Sequence, residues 1–147
     1  MESQEAEKLF TKGVNAFSQG RTLSALAFFE KAIHIESTPA CHSFLAVCIA
    51  KERGQVRKAI SLCKEIIEAD SGNPVHYLNL GRIYLLAGDK TEAAKAFRDG
   101  LTYGDDPQII DELDKLVIRK PPVFPFLKRE NFINKYAGLV LSTLRLR

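Results

Sequence analysis

The stretch that decides the fold is residues 74–100, which read PVHYLNLGRIYLLAGDKTEAAKAFRDG. Two helix-forming runs flank the turn residue Gly88, and Pro74 suits the first turn of a helix. The small residues and one phenylalanine follow one another at gaps of 7, 5, 4 and 3 residues: Gly81, Gly88, Ala93, Phe97 and Gly100. We therefore predict a helix–turn–helix unit in which small residues let the two helices approach closely.

The same spacing occurs twice upstream. Gaps of 7, 5, 4 and 3 separate Gly13, Gly20, Ala25, Phe29 and Ala32. The other unit has a first gap of 8, followed by 5, 4 and 3, at Ala46, Gly54, Ala59, Cys63 and Ile66. The alanines at 25, 59 and 93 are 34 residues apart each time. A fixed period of this length indicates an array of helical repeats.

This pattern resembles the tetratricopeptide repeat (TPR), a helix–turn–helix unit of the same period. The third unit follows the TPR pattern of an aromatic residue, Leu-Gly, Tyr, Ala and Phe with Tyr77, Leu80, Gly81, Tyr84, Ala93 and Phe97. The resemblance implies an all-α fold, an α-solenoid of three stacked pairs. The repeats are expected at about residues 6–38, 39–73 and 74–106.

Two further segments follow the repeats. Residues 107–118 alternate apolar Ile109 and Leu113 with acidic residues, which predicts a capping helix that completes a TPR domain of residues 1–118. Residues 119–147 form a tail that begins with an extended, proline-rich segment and continues into a last helix at about 130–144. We expect this tail to pack on the repeats. The predicted helices are about 3–18, 22–36, 40–52, 55–70, 74–87, 90–103 and 107–118.

The tail differs from the repeats in charge. Residues 1–118 hold 14 basic and 17 acidic residues, whereas residues 119–147 hold 7 basic residues and the single acid Glu130. A basic tail is able to contact nucleic acid or an anionic membrane surface, although the chain has no recognised nucleic-acid motif and only a short apolar tail helix. The tail residues singled out for contacts are Phe124, Phe126, Lys128, Arg129 and Phe132.

The resemblance also places the binding surface. In TPR arrays the first helix of each pair lines a concave groove, and partners usually bind there. The matching stripe here is mostly apolar and contains Phe10, Val14, Phe17, Ser43, Val47, Val75, Leu78, Arg82 and Leu85. An apolar groove favours an apolar peptide or an amphipathic helix as its ligand.

One type of TPR function is excluded by the same comparison. Clamp-type TPR domains hold the terminal carboxylate of chaperone peptides with Lys, Asn and Arg side chains. The matching places here hold Phe10, Val14, Phe44, Val75 and Asn79. We therefore do not expect a carboxylate-clamp co-chaperone.

The chain offers little for catalysis. We find no catalytic motif, no metal-binding spacing and no cofactor motif, and Cys41, Cys48 and Cys63 are expected in the core. The chain shows no signal peptide and no membrane-spanning run, so we expect a cytoplasmic protein that is not an enzyme.

The leading hypothesis is a small bacterial-type interaction scaffold or adaptor whose partner is a protein or peptide. The alternatives are a secretion-type chaperone for hydrophobic segments, and a nucleic-acid or anionic-membrane adaptor that acts through the tail. We expect neither nucleic acid nor a membrane surface to be the main partner. A homodimer is a further way to cover an apolar groove.

Overall fold

The computed structural model describes residues 1–118, all of whose regular structure is α-helical. The predicted all-α architecture is confirmed, and the ends of the seven helices predicted within residues 1–118 lie within two residues of the observed ones. The helices are α1 (Glu2–Ser18), α2 (Thr22–Ile35), α3 (Pro39–Arg53), α4 (Val56–Ala69), α5 (Pro74–Leu86), α6 (Lys90–Leu101) and α7 (Pro107–Ile118). The predicted proline-rich segment and last helix of the tail lie outside the described residues.

Residues Met1–Leu113 form one compact unit, and a second unit begins at Asp114, inside α7. In the first unit the helices pair as α1 with α2, α3 with α4, and α5 with α6. Successive pairs also contact each other, because α3 packs on α2 and α5, and α4 packs on α5. Residues 114–118 of the second unit continue α7. Consecutive helical pairs that pack on their neighbours are the arrangement of an α-solenoid.

Short caps and turns separate the helices. Prolines open α3 and α5, and the residue before each proline accepts a hydrogen bond from the first turn: Thr38 Oγ1 from Cys41 N at 3.3 Å, and Asn73 Oδ1 from Val75 N at 3.1 Å. Gly20, Gly54 and Gly88 have φ angles of 78°, 67° and 79°. Each of the three pairs therefore has a glycine in the left-handed region after its first helix.

The two helices of the outer pairs meet at a glycine. A Cβ atom on Gly13 would lie 2.5 Å from Cε1 of Phe29, and a Cβ on Gly81 would overlap the ring of Phe97 in the same way. Both phenylalanine rings are fully buried. The glycine on the first helix and the phenylalanine on the second therefore form one packing unit.

The middle pair departs from this arrangement at both positions. Ala46 and Cys63 replace the glycine and the phenylalanine, and both are fully buried. The first-helix residue is larger and the second-helix residue is smaller than in the outer pairs. The middle repeat is the least regular in sequence because both residues of this contact differ from those of the outer pairs. We interpret the two changes as compensating in size, so that the helices stay close.

Helix α7 packs on the third pair through Ile109. This side chain is fully buried, and its Cδ1 atom would lie 2.9 Å from a Cβ placed on Gly100 of α6. The same Cβ would lie 2.8 Å from Cβ of Tyr77 on α5. Asp106 starts α7 by accepting a hydrogen bond from Gln108 N at 2.8 Å.

Candidate functional site

Four phenylalanine rings from α1, α2 and α3 form a cluster. Phe44 of α3 lies at its centre, with ring centroids 5.8 Å from Phe10, 5.6 Å from Phe17 and 5.4 Å from Phe29. The Phe10 and Phe17 rings meet Phe44 edge-on, whereas Phe29 stacks on it. Phe29 is fully buried, and Phe10 and Phe17 of α1 are half-buried. The cluster therefore joins the core to the surface of the first pair.

Arg82 of α5 lies over this cluster. Its guanidinium carbon is 5.0 Å from the centroid of the Phe17 ring, a cation–π geometry. The guanidinium also donates to Asn79 Oδ1 and to Gln108 Oε1, both at 2.9 Å. Burial lowers the pKa of Arg82, and the charges of Glu112 and Asp106 act in the opposite direction. Arginine remains a cation at neutral pH, so this is a positive charge held in a fixed position.

A chain of hydrogen-bonded polar side chains holds Asn79 in place. Its Nδ2 donates to Ser43 Oγ at 3.1 Å, and Nδ1 of His76 lies 3.1 Å from the same oxygen. On the other side of the imidazole, His76 Nε2 is 2.8 Å from Asp70 Oδ2. The side chains of Ser43, His76 and Asn79 are fully buried. The polar chain Asp70–His76–Ser43–Asn79 therefore links the second pair to the third and ends at Arg82.

A cavity of about 230 Å³ lies between α1, α2 and α3. Its walls are largely apolar, with Glu7 and Glu36 as charged members, and they include Ala6, Glu7, Phe10, Ala32, Glu36 and Cys41. Because Phe10 belongs to both, the cavity borders the phenylalanine cluster.

The predicted groove residues divide into two groups. Ser43, Val47 and Leu78 are buried between helices and offer no surface to a ligand. The other members are half-buried: Phe10, Val14, Phe17, Val75, Arg82 and Leu85. The buried members lie on α3 and α5, two helices that pack against each other.

The tail residues Phe124, Phe126, Lys128, Arg129 and Phe132 lie outside the described residues. Two features of this site were not predicted from the sequence: the polar chain, and the distinct position of Arg82, which was expected only as one groove residue among nine. The available signal was two polar residues of α5, His76 and Asn79, each between apolar or aromatic neighbours.

The cysteines are core residues. Cys41, Cys48 and Cys63 are free and buried. Burial raises the pKa of the Cys41 thiol to about 11 and those of Cys48 and Cys63 to about 12. The start of a helix can lower the pKa of a nearby thiol, but at Cys41 burial acts in the opposite direction. Within residues 1–118, no group of three His, Cys, Asp or Glu residues is placed to hold a metal ion. No helix in that range is long and apolar enough to cross a membrane.

Comparison with known proteins identifies the repeat. Residues 50–110, from the end of α3 to the first turn of α7, match the sequence model of the tetratricopeptide repeat. This match assigns residues 50–110 to the tetratricopeptide repeat. The chain is similar to part of DnaJ homolog subfamily C member 3 of Homo sapiens, at 28% identity over 107 residues. The match covers 72% of this chain and 21% of the human protein, so the chain spans about a fifth of that relative's length.

Solved TPR domains have the same fold. The Sgt2 TPR domain from Aspergillus fumigatus aligns with a TM-score of 0.60 at 18% identity, covering 89% of this chain and 93% of that domain. The second TPR domain of human RPAP3, solved in complex with an HSP70 peptide, aligns with a TM-score of 0.57 at 18% identity. That alignment covers 80% of this chain and 98% of the RPAP3 domain. At these identities the likeness shows the fold alone, and the TPR is a fold typical of protein-interaction scaffolds.

Proposed function

We propose that the chain is a protein-interaction scaffold or adaptor that holds an apolar peptide or an amphipathic helix against its first helices. The observation that carries the proposal is the pair of half-buried rings Phe10 and Phe17, packed on the central ring Phe44. Val14, Val75 and Leu85 add further half-buried apolar surface. Below, the groove means this face of α1 and α5, formed by Phe10, Val14, Phe17, Val75, Arg82 and Leu85.

We further propose that the groove does not act as a carboxylate clamp, although one of the similar TPR domains was solved with an HSP70 peptide. Phe10, Val14, Phe44 and Val75 carry no donor at the corresponding places. Asn79 is fully buried, and both ends of its amide are used by Ser43 and Arg82. A terminal carboxylate would therefore lack the donors that the clamp supplies.

A peptide-binding measurement tests the proposal. The probes are a synthetic amphipathic helix with a leucine face and a scrambled peptide of the same composition, each titrated calorimetrically into the full chain. We expect the amphipathic peptide alone to bind, and its free-acid and amidated forms to bind equally. Stronger binding of the free acid would instead indicate a clamp. Sedimentation of the unliganded chain shows whether a second copy already covers the groove.

The structure offers a matched pair of variants for the same titration. Leu85 is half-buried in the groove, and its neighbour Leu86 is 45% exposed and belongs to another face of α5. Leu85→Lys is expected to weaken peptide binding about tenfold, and Leu86→Lys to leave it unchanged. Equal effects of the two variants would place the binding surface elsewhere.

The alternatives require different readouts. A secretion-type chaperone would hold an unfolded hydrophobic substrate and suppress its aggregation at stoichiometric amounts. A nucleic-acid or membrane adaptor would act through residues 119–147, whose net charge is +6, and its binding would fall steeply with salt. We favour the scaffold because the half-buried aromatic surface lies on the repeats.

The proposal describes a binding protein and not an enzyme, and it places the protein in the cytoplasm. Three free, buried thiols fit a reducing compartment, and their raised pKa values do not suit nucleophilic catalysis.

A further inference from the structure

Charged side chains of opposite sign lie at the two ends of the phenylalanine cluster. At the Phe10 end, the walls of the 230 Å³ cavity include the exposed carboxylates of Glu7 and Glu36. At the Phe17 end stands the guanidinium of Arg82, 5.0 Å from the ring centroid. Phe44 contacts both rings, so the phenylalanine cluster runs without a break from the acidic end to the basic end.

The basic end is a preorganised site. Within residues 1–118, hydrogen bonds to Asn79 and Gln108 use two of the five N–H donors of Arg82 and hold its guanidinium in place. Asn79 is held in turn by the buried Ser43. Since the side chain is already ordered, a ligand carboxylate would bind it with little further loss of side-chain entropy.

The direct contacts of the Arg82 guanidinium are with neutral groups. In the described part of the chain it donates to the amides of Asn79 and Gln108 and lies over the Phe17 ring. The carboxylates of Asp106 and Glu112 act on it through their charges. A carboxylate on a bound peptide would reach the remaining N–H donors directly and form charge-assisted hydrogen bonds.

The acidic end lies where a cation is favoured. Glu36 is the C-cap of α2, and the negative end of a helix dipole disfavours a carboxylate there. In the described part of the chain neither Glu7 nor Glu36 forms an ion pair. A lysine or arginine of a ligand would offset both charges, and its methylene groups would lie on the apolar cavity walls formed by Ala6 and Phe10.

We infer that the groove selects a dipolar peptide, one whose apolar face has a basic residue at one end and an acidic residue at the other. The basic residue binds at Glu7 and Glu36, the apolar face covers Phe10 and Phe17, and the acidic residue binds Arg82. This inference rests on the proposed function, because it adds a basic residue and an acidic residue, at opposite ends, to the apolar ligand proposed there.

The test compares two helix-forming peptides of identical composition. Both have the same leucine face; one carries lysines at one end and glutamates at the other, and the second has the same charges interleaved along its length. Each is titrated into the full chain at low and at physiological salt. We expect the dipolar peptide to bind about fivefold more tightly at low salt, with a smaller preference at higher salt.

Substitutions at each end of the groove test which residues produce the preference for the dipolar peptide. Arg82→Gln is expected to reduce the fivefold preference to about twofold or less, whereas Arg57→Gln, an exposed arginine on α4, retains it. Arg82→Lys keeps the charge without the planar fork and is expected to retain part of the preference. At the other end, the preference for the dipolar peptide is measured in a variant with both Glu7→Gln and Glu36→Gln. It is compared with the preference of Glu65→Gln, which changes an exposed glutamate on α4. Circular dichroism and the urea midpoint of each variant verify that it folds.

The possible outcomes separate the two proposals. Equal affinity for the two charged peptides, with binding still dependent on the leucine face, would overturn the charge order and leave the apolar scaffold intact. Absence of binding by either peptide would overturn both. An unchanged preference in Arg82→Gln would remove Arg82 from the site.

Discussion

The ring of Phe29 occupies the space that a side chain on Gly13 would need, with Cε1 2.5 Å from the position of the missing Cβ. In the interior of an exposed helix, Gly→Ala is favourable by about 1 kcal/mol. At Gly13 this gain is outweighed by the overlap with a ring that is itself fixed against Phe44. The close approach of α1 and α2 therefore requires glycine at this position.

We predict that Gly13→Ala lowers the free energy of unfolding by about 1–3 kcal/mol, the usual cost of overpacking. The measurement is urea denaturation followed by circular dichroism. Gly72→Ala is the control, because no atom lies within 4 Å of the position that a Cβ would take there and its φ is not in the left-handed region. An equal loss of stability in both variants would contradict the packing argument.

A second prediction concerns Gly81 and Phe97, which repeat the same contact in the third pair. Gly81→Ala and Phe97→Leu are each expected to destabilise the fold. The double variant should lose less stability than the two single losses combined, because a smaller side chain at 97 makes room for the new methyl group. A double-mutant cycle in urea measures this coupling, which we expect to be about 1 kcal/mol. Additive losses would show that the two residues do not share one space.

A third prediction concerns Ser43. Ser43→Ala leaves the Asn79 amide and His76 Nδ1 without the oxygen that each contacts at 3.1 Å. Leaving buried polar groups unpaired costs about 1–3 kcal/mol each, so for these two groups we expect a loss of about 2–6 kcal/mol in the free energy of unfolding. Ser37→Ala is a matched control, because the Ser37 contact with His42 is exposed. A change within about 0.5 kcal/mol is expected there.

A fourth prediction concerns pH and the thiols. Burial raises the pKa of Cys41 to about 11 and those of Cys48 and Cys63 to about 12, so the folded chain keeps them protonated at pH 8. Iodoacetamide should therefore label none of them in buffer and all three in urea, as read by mass spectrometry. Because the folded pKa values lie above the unfolded ones, this contribution to stability is complete below about pH 8.5 and is lost as the pH rises toward 11–12. Rapid labelling of a cysteine in native buffer at pH 8 would contradict its burial.

The fold was predictable because the decisive contacts lie within one repeat. Gly13 and Phe29 are 16 residues apart, and the same spacing separates Gly81 and Phe97. A pattern of small and large residues that recurs at a fixed period reports such contacts directly. The turns at Gly20, Gly54 and Gly88 follow from the same period.

The site was less predictable because it depends on contacts between repeats. Ser43 contacts residues 33 and 36 positions further along the chain, and no periodic pattern encodes a pairing that occurs at one junction only. Ser43, Val47 and Leu78 were expected in the groove from their place on the first helices, yet they are buried. The helix α3 lies between two neighbouring pairs, so more of its surface is covered than that of a helix at the start of the array.

The polar chain makes the order of the repeats matter. Gly13, Ala46 and Gly81 are equivalent, so the position of Ser43 corresponds to Phe10 in the first repeat and to Leu78 in the third. If the third repeat were duplicated in tandem, His76 and Asn79 of the new copy would face a leucine and lose their shared partner. Growth of this array by copying its most regular unit is therefore disfavoured, unless the preceding repeat also has a small acceptor in place of Leu78.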